Sequence, residues 1–369
     1  MDRVVYTIAW LLVSVIRYLP PRLCFSIGRV LGRISCSLFP RYRRLARENL
    51  FRAFGREKTT AEIEALTVEH FKTLGANLVS ALRMPAMSEQ EIVDCAEMVG
   101  LDLLEKAAAE GKGVVLAISH IGNWELFAQL VFLCPGLRFG TVYQAIRNRY
   151  INDFINRDRE RLGVMTFDRR RGFAGPLKLL REGGVVGVLV DQHAGDGGLW
   201  TPLFHHLAST SPLAATLAIR ANAPVVPVAI TTIGPARWRV TLDPPLARQG
   251  DDAARLTWEI NCALEKQIRQ SPADWFWVHE RWKTPKPDFL VGRARRGIYL
   301  PEHGRLEPFR ILVRSSNWLG DAVMCMPAVR ALKEGRPDAK ITVLTPEKLR
   351  DLWVSVSEVD EVIGIEPGD

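Results

Sequence analysis

Two short runs in this 369-residue chain are apolar without alternation: Val114 to Ile118 and Val185 to Val190. A strand with one wet face alternates apolar and polar residues, because its side chains point to opposite faces in turn. An unbroken apolar run of this length reads instead as a strand covered on both faces, which is the habit of parallel sheets. Helical stretches follow or separate these runs: Leu101 to Glu110, 124–133, Asn148 to Leu162, 173–182, Ser211 to Ala221 and Leu256 to Gln270. Further strands are expected at Phe139 to Val142, Val225 to Thr231 and Arg237 to Leu242. Strands alternating with helices predict an α/β fold with a mostly parallel sheet flanked by helices.

Before residue 96 the texture is helical. Residues 4–19 and 23–39 read as apolar helices broken at Pro20-Pro21, followed by a basic amphipathic helix from Arg41 to Phe54. Thr59 and Thr60 offer caps for a fourth helix running to about Leu82. Residues 1–56 hold eleven Arg against Asp2 and Glu48 alone. Arginines set among apolar residues predict a membrane-associated layer, either lying in the interface or spanning once. The apolar run is shorter than the ~20 residues a spanning helix needs. No signal-peptide cleavage site is visible.

The expected organisation is therefore a helical membrane-associated region at 1–95, an α/β core at 96–290, a Pro/Gly/Arg-rich linker at 291–308 and a fresh strand–loop–helix unit at 309–369. The net charge of +8 favours anionic partners. The arginines lack the aromatic interleaving of a nucleic-acid module, so no nucleic-acid partner is expected. Six scattered cysteines without a C-x-x-C predict a reduced, cytoplasmic setting. No metal is expected: His193, His205 and His206 have no set of carboxylate or thiolate partners at ligand spacing.

Ligands of open α/β sheets bind beyond the carboxyl ends of the strands, and His120 and Asp191 stand at such ends. His120 has the ordinary pKa of a base at neutral pH. Glu125 follows it five residues on, at the start of the next helix, and is expected to orient the imidazole. The pair would activate a substrate hydroxyl for direct attack. A covalent route through the adjacent Ser119 is the second option. His279 and the cluster Trp275, Trp277 and Trp282 read as structural or packing residues.

The segment His120-Ile121-Gly122-Asn123-Trp124-Glu125 resembles the H-x4-D/E block of the glycerolipid acyltransferase superfamily, in the form typical of its lipid A biosynthesis (lauroyl/myristoyl) acyltransferase family. Tyr143 to Asn148, Asp168-Arg169, Gly183 to Gly195, Thr201 to Phe204, Pro224 to Val228 and Asp274 to Lys283 resemble later blocks of that family, in order. Glu280 stands where the family has Arg. The resemblance covers about residues 1–290. It implies His120 as general base and Glu125 as its orienting acid, with no cofactor. It also implies acyl carrier protein as donor and a phosphorylated lipid A precursor of the Kdo-lipid IVA type as acceptor, at the cytoplasmic face of a bacterial inner membrane. Arg147 and Arg169 are candidates for the acceptor's phosphates, and Asn148, Asp191 and Gln192 for its sugar or backbone groups. Alternatives are acyl-CoA-dependent acylation of another glycolipid, such as a phosphatidylinositol mannoside, or glycosyl transfer with the N-terminal part as anchor. That last reading comes from residues 308–369, which resemble the start of an ADP-heptose:lipopolysaccharide heptosyltransferase, with Gly320 and Asp321 in its N-terminal loop. The family's nucleotide-sugar half is missing, so a truncated fusion or a split gene is expected.

Overall fold

The computed structural model describes residues 2–247, 250, 252–284, 297–302 and 306–366. Half of the expected linker, residues 291–296 and 303–305, lies outside them. Two compact units are present. The first comprises residues 1–193 and 210–281, and the second 194–209 and 282–369.

The first unit opens with four helices: α1 (Asp2–Tyr18), α2 (Pro21–Leu38), α3 (Pro40–Phe54) and α4 (Thr60–Arg83). Pro21 and Pro40 occupy first-turn positions, where a missing N–H costs nothing. A capping box between Thr59 and Glu62 starts α4. α2 crosses α4 at backbone distance, through Gly28 and Gly32 on one helix and Gly75 on the other. A Cβ on Gly32 would stand 2.0 Å from the Phe71 carbonyl oxygen, and one on Gly28 2.4 Å from that of Gly75. No helix among the described residues is long and apolar enough to cross a membrane, so the single-pass option is not shown. α1 lies against the later helix α8 (Arg149–Arg161), through the Arg17–Asp158 ion pair and the Arg3 Nε to Tyr150 hydroxyl bond of 2.8 Å.

The sheet of this unit has seven strands: β1 (Ala96–Val99), β2 (Val114–Ile118), β3 (Phe139–Tyr143), β4 (Met165–Asp168), β5 (Val185–Leu189), β8 (Val225–Gly234) and β9 (Arg237–Leu242). Their spatial order is β1-β9-β8-β2-β5-β3-β4, parallel except for the β8–β9 pair. All five residues of β2 are buried, as the unbroken apolar run requires. Leu116, Ile118, Val226 and Val228 pack into one core layer, Val115, Ala117, Val186 and Val188 into the other. The fold class is thus α/β with a mostly parallel sheet, as read from the sequence. Of the elements expected from the sequence, one differs in kind. Residues 124–133 are a 3-10 turn, Trp124–Gln129, followed by a single α turn, α7 (Leu130–Leu133), rather than one α-helix. The stretch between the Gly122 turn and Pro135-Gly136 is short, which suits 3-10 geometry.

The second unit contains a two-stranded hairpin, β6 (Leu199–Leu203) with β7 (His206–Thr210), and a three-stranded parallel sheet. The latter consists of β10 (Phe309–Arg314), β11 (Ala339–Pro346) and β12 (Glu361–Ile365), joined through α12 (Leu319–Gly335) and the short α13 (Arg350–Val354). Its core is built on Ile341, Val343, Val329 and Trp353. Gly320 and Asp321 are exposed in the first turn of α12.

Candidate active site

β2 and β5 run parallel with Ile118 opposite Leu189. Both strands end at the same edge, so continuing that register by two residues sets His120 opposite Asp191. The side chains meet there. His120 Nδ1 lies 2.7 Å from Asp191 Oδ1, and the His120 backbone N–H donates to Asp191 Oδ2 at 2.7 Å. A carboxylate only accepts, so the imidazole proton sits on Nδ1 and Nε2 carries the lone pair. The turn after His120 needs Gly122, whose φ is +57° and whose Cβ would stand 2.1 Å from the Ile230 carbonyl oxygen.

Asp191 is completely buried. Burial pushes its carboxyl up, but the His120 charge and the hydrogen bonds from His120 outweigh that and hold it well below the usual carboxylate range. For His120 burial works downward, and the Asp191 charge and hydrogen bond, helped by the Glu125 charge, raise its pKa above the ordinary value. The ring is walled by Trp124, at 5.1 Å between centroids, and by Phe276 at 6.0 Å.

Residues 274–281 close the site from below. Ile121 bridges to Trp275, Phe276 N–H donates to the His120 carbonyl, and Trp275 Nε1 donates to Asp191 Oδ2 at 2.8 Å. Asp274 accepts from Thr232 and Ser271, and Asn77 on α4 donates to it. Asn49 on α3 donates to the carbonyls of Trp277 and His279, both at 2.8 Å. His70 on α4 donates to the Ala273 carbonyl. His279 is half-buried and bonded through Nδ1 to the Phe276 carbonyl, and desolvation of its ring lowers its pKa to about 4.

The side chain bonded to His120 is therefore Asp191 and not Glu125, which sequence reasoning had placed in that position. Glu125 sits on the 3-10 turn, which swings its carboxylate to Arg159 of α8. Arg159 Nη2 donates to both its oxygens at 2.8 and 3.0 Å, and Nε donates at 3.3 Å. Ser119 Oγ is buried and has no hydrogen bond to His120. Asn148 is the N-cap of α8, accepting from the Tyr150 and Ile151 N–H groups, and its amide donates to the Asp2 carbonyl. Arg147, Arg169 and Gln192 are exposed. Arg147 follows β3, Arg169 follows β4, and Gln192 follows Asp191, so all three lie on the rim that carries His120. Sequence reasoning missed Arg159 as the Glu125 partner and Trp275 as a donor to Asp191. The D-W-F-W segment was visible, but nothing in its spacing announced where its indoles point.

A family model described as bacterial lipid A biosynthesis acyltransferase matches residues 1–284. The chain is 25% identical over 269 residues to a lipid A biosynthesis palmitoleoyltransferase of Escherichia coli K12, covering 72% of this chain and 86% of that protein. It is 26% identical over 296 residues to a lipid A biosynthesis lauroyltransferase of the same organism, covering 78% and 95%. It is also 25% identical over 242 residues to a phosphatidylinositol mannoside acyltransferase of Mycobacterium tuberculosis, covering 64% and 76%. The match to the family model ends before β10, leaving the heptosyltransferase resemblance of the last 60 or so residues resting on its sequence blocks alone. With a histidine–aspartate pair at the strand ends and a family match over more than three quarters of its length, the chain belongs to the bacterial lipid A biosynthesis acyltransferase family.

Proposed function

We propose that this O-acyltransferase moves a fatty acyl chain from acyl carrier protein to a hydroxyl of a phosphorylated lipid A precursor, with His120 as general base. The observation that carries the reading is the His120–Asp191 pair, which holds the imidazole in the tautomer that leaves Nε2 unprotonated. In the proposed reaction Nε2 takes the acceptor hydroxyl proton as the oxygen attacks the thioester carbonyl. The tetrahedral adduct collapses, the C–S bond breaks, and the imidazolium returns its proton to the departing thiolate. Asp191, rather than Glu125, takes the orienting role. The acyl-serine route is disfavoured by the buried, unconnected Ser119 hydroxyl.

Arg147 and Arg169 are proposed to meet the acceptor's phosphates. Strands in the order β2-β5-β3-β4 are spaced by about 4.8 Å, so the ends of β3 and β4 lie roughly 10 and 14 Å from that of β2. That span suits a sugar phosphate whose neighbouring hydroxyl is being acylated. Association with a membrane surface, proposed to be the cytoplasmic face, is supported as to the surface by the exposed Val4, Ile8, Leu11, Leu12 and Val15 of α1 and Leu31, Ile34 and Leu38 of α2, set among arginines. The apolar residues would enter the interface while the guanidinium groups meet anionic headgroups. Acylation of a phosphatidylinositol mannoside from acyl-CoA is the second reading, favoured by the mycobacterial relatives. Purified protein is given radiolabelled acyl groups on acyl carrier protein or on coenzyme A, with a lipid A precursor or a phosphatidylinositol mannoside as acceptor. Transfer is expected from the carrier protein to the lipid A precursor and is expected to be lost in His120→Ala. Normal turnover in that variant removes His120 as base.

A further inference from the structure

β3 and β4 are neighbours at one edge of the seven-stranded sheet, and a band of arginines lies beyond their carboxyl ends. Tyr143 stands opposite Asp168 in their register, so the loops that follow leave the sheet side by side. One loop carries Arg147 and leads to Arg149, which opens α8, and the other winds as a 3-10 turn over Arg169–Arg171. Arg3 of α1 joins the band through Tyr150: its guanidinium and that of Arg149 lie 5.6 and 4.9 Å from the centroid of that ring. All six arginines are exposed, and among the described residues none of them forms an ion pair with a carboxylate. Arg17 and Arg159, on the same two helices, both do. Asp168, the acid nearest in sequence to the turn, accepts the Arg170 backbone N–H at 2.9 Å. Six uncompensated charges in one band compare with a net +8 for the whole chain.

Like charges gathered on one surface repel one another, at a cost that an anionic partner removes. One sugar phosphate is satisfied by one or two guanidinium groups, such as Arg147 and Arg169 above. Arg3, Arg149, Arg170 and Arg171 are then left for a second, broader anion. A bilayer is the poorer match for them. The arginines of α2 stand among exposed apolar side chains, whereas no large apolar residue between positions 166 and 188 is exposed. The proposed donor is the better match, because its acyl thioester hangs from an acidic protein. A folded carrier is too large to enter the site, so it rests on the rim and extends the thioester toward His120. At about 4.8 Å per strand, the β4 end lies roughly 14 Å from the β2 end, beside the reaction and not in it. We propose that Arg3, Arg149, Arg170 and Arg171 form the surface on which an acidic acyl carrier protein docks to present the donor thioester. This rests on the carrier-protein donor proposed above and adds where that protein sits.

The test uses the full chain and the variant Arg149→Ala/Arg170→Ala/Arg171→Ala. Binding of holo acyl carrier protein is titrated, and transfer from its lauroyl thioester is followed separately. Affinity for the carrier and kcat/KM for its thioester are expected to fall together, about tenfold or more, while saturating kcat and acceptor KM hold. Added salt is expected to weaken carrier binding to the wild-type protein, and to weaken it less in the variant. Arg149→Lys/Arg170→Lys/Arg171→Lys keeps the charge and is expected to stay within a few-fold of wild type. Arg171→Glu, a single change on an exposed turn, carries the same test should the alanine variant not fold. Unchanged carrier affinity in the alanine and glutamate variants overturns the docking surface and leaves the acyltransferase reading standing. A raised acceptor KM, or lost binding to phosphatidylglycerol vesicles, with carrier affinity intact also overturns it, because the arginines then meet lipid phosphate. A wild-type protein that binds the carrier through these arginines yet transfers no acyl group overturns the functional reading and leaves the surface. One that neither binds the carrier nor accepts its acyl group overturns both.

Discussion

Asp191→Asn is the sharpest perturbation of the proposed chemistry, because the structure dictates how the amide must sit. Asp191 accepts three hydrogen bonds: Oδ2 takes the His120 N–H and the Trp275 indole N–H, and Oδ1 takes the His120 ring. Asparagine has one acceptor oxygen and one NH2 group. Placing the NH2 against two fixed donors is the worse choice, so the oxygen takes the Oδ2 position and the NH2 faces Nδ1. That forces the imidazole proton onto Nε2, the atom proposed to accept the substrate proton. The same forced tautomer in a serine-protease triad costs ~10⁴ in turnover. A loss on the order of 10³- to 10⁴-fold in single-turnover transfer is expected here, with donor KM changed by no more than a small factor. The acid limb of the pH profile is expected to move down as well. Burial lowers the His120 pKa and the Asp191 charge raises it, so removing that charge leaves burial opposed only by the smaller effect of the Glu125 charge. A ¹⁵N spectrum of the His120 ring reads the tautomer directly. A loss below about tenfold, with Nδ1 still protonated, would falsify Asp191 as the orienting group.

Trp275→Phe removes one hydrogen bond to a buried carboxylate, an interaction worth about 1.5–3 kcal/mol. Turnover is expected to fall roughly 10- to 100-fold if that bond holds Asp191 in line, with near-UV circular dichroism outside the lost indole little changed. Gly32→Ala drives a methyl to within 2.0 Å of the Phe71 carbonyl oxygen, so α2 must move off α4. A destabilisation of about 1–3 kcal/mol is expected, read from urea midpoints at neutral pH. His70 and His279 are held neutral, each pushed by desolvation of its ring from 6.5 to about 4. Their folded pKa lies below the unfolded value, so the unfolded chain binds more protons as pH falls through this window. Stability is therefore full above pH 6.5, declines as pH drops, and stops declining on this account near pH 4. Each contributes about 3 kcal/mol to that loss, at roughly 1.4 kcal/mol per pKa unit. In His70→Gln the difference between urea midpoints at neutral and acid pH is expected to shrink, and an unchanged difference argues against a buried neutral His70.

The sequence carried His120 well, because an apolar run that stops at a histidine reads as a strand end on physical grounds alone. It carried the partner poorly. Glu125 is close along the chain, and five residues of α-helix would keep it near. The stretch instead winds as a 3-10 turn after a left-handed glycine, and the carboxylate finds Arg159. Asp191 is 71 positions away and arrives by strand register. The apolar runs of β2 and β5 were both legible, and so was the rule that ligand sites lie past their ends. Their adjacency in the sheet was not, because nothing in one strand's pattern says which other strand lies beside it. Short strands were lost for a local reason. Ala96–Val99 and Met165–Asp168 have four residues each and lack an apolar run, while Leu199–Leu203 includes a proline that argues against a strand.

The helical layer before residue 96, read in sequence as a membrane-facing region apart from the core, is part of the site's scaffolding. Asn49 on α3 holds two carbonyls of the closing segment, and His70 and Asn77 on α4 hold its Ala273 and Asp274. That segment presents Trp275 to Asp191, and Asp191 fixes the His120 ring. Each link is a buried polar group whose hydrogen-bond partner comes from a distant part of the chain, so losing one leaves its partner unsatisfied in a dry interior. The α2–α4 crossing has the same dependence, since glycines permit the close approach that seats α4 beside the segment it braces. The layer whose first two helices are proposed to meet a membrane surface is thus, through its third and fourth helices, the frame that keeps the proposed base and its carboxylate in line.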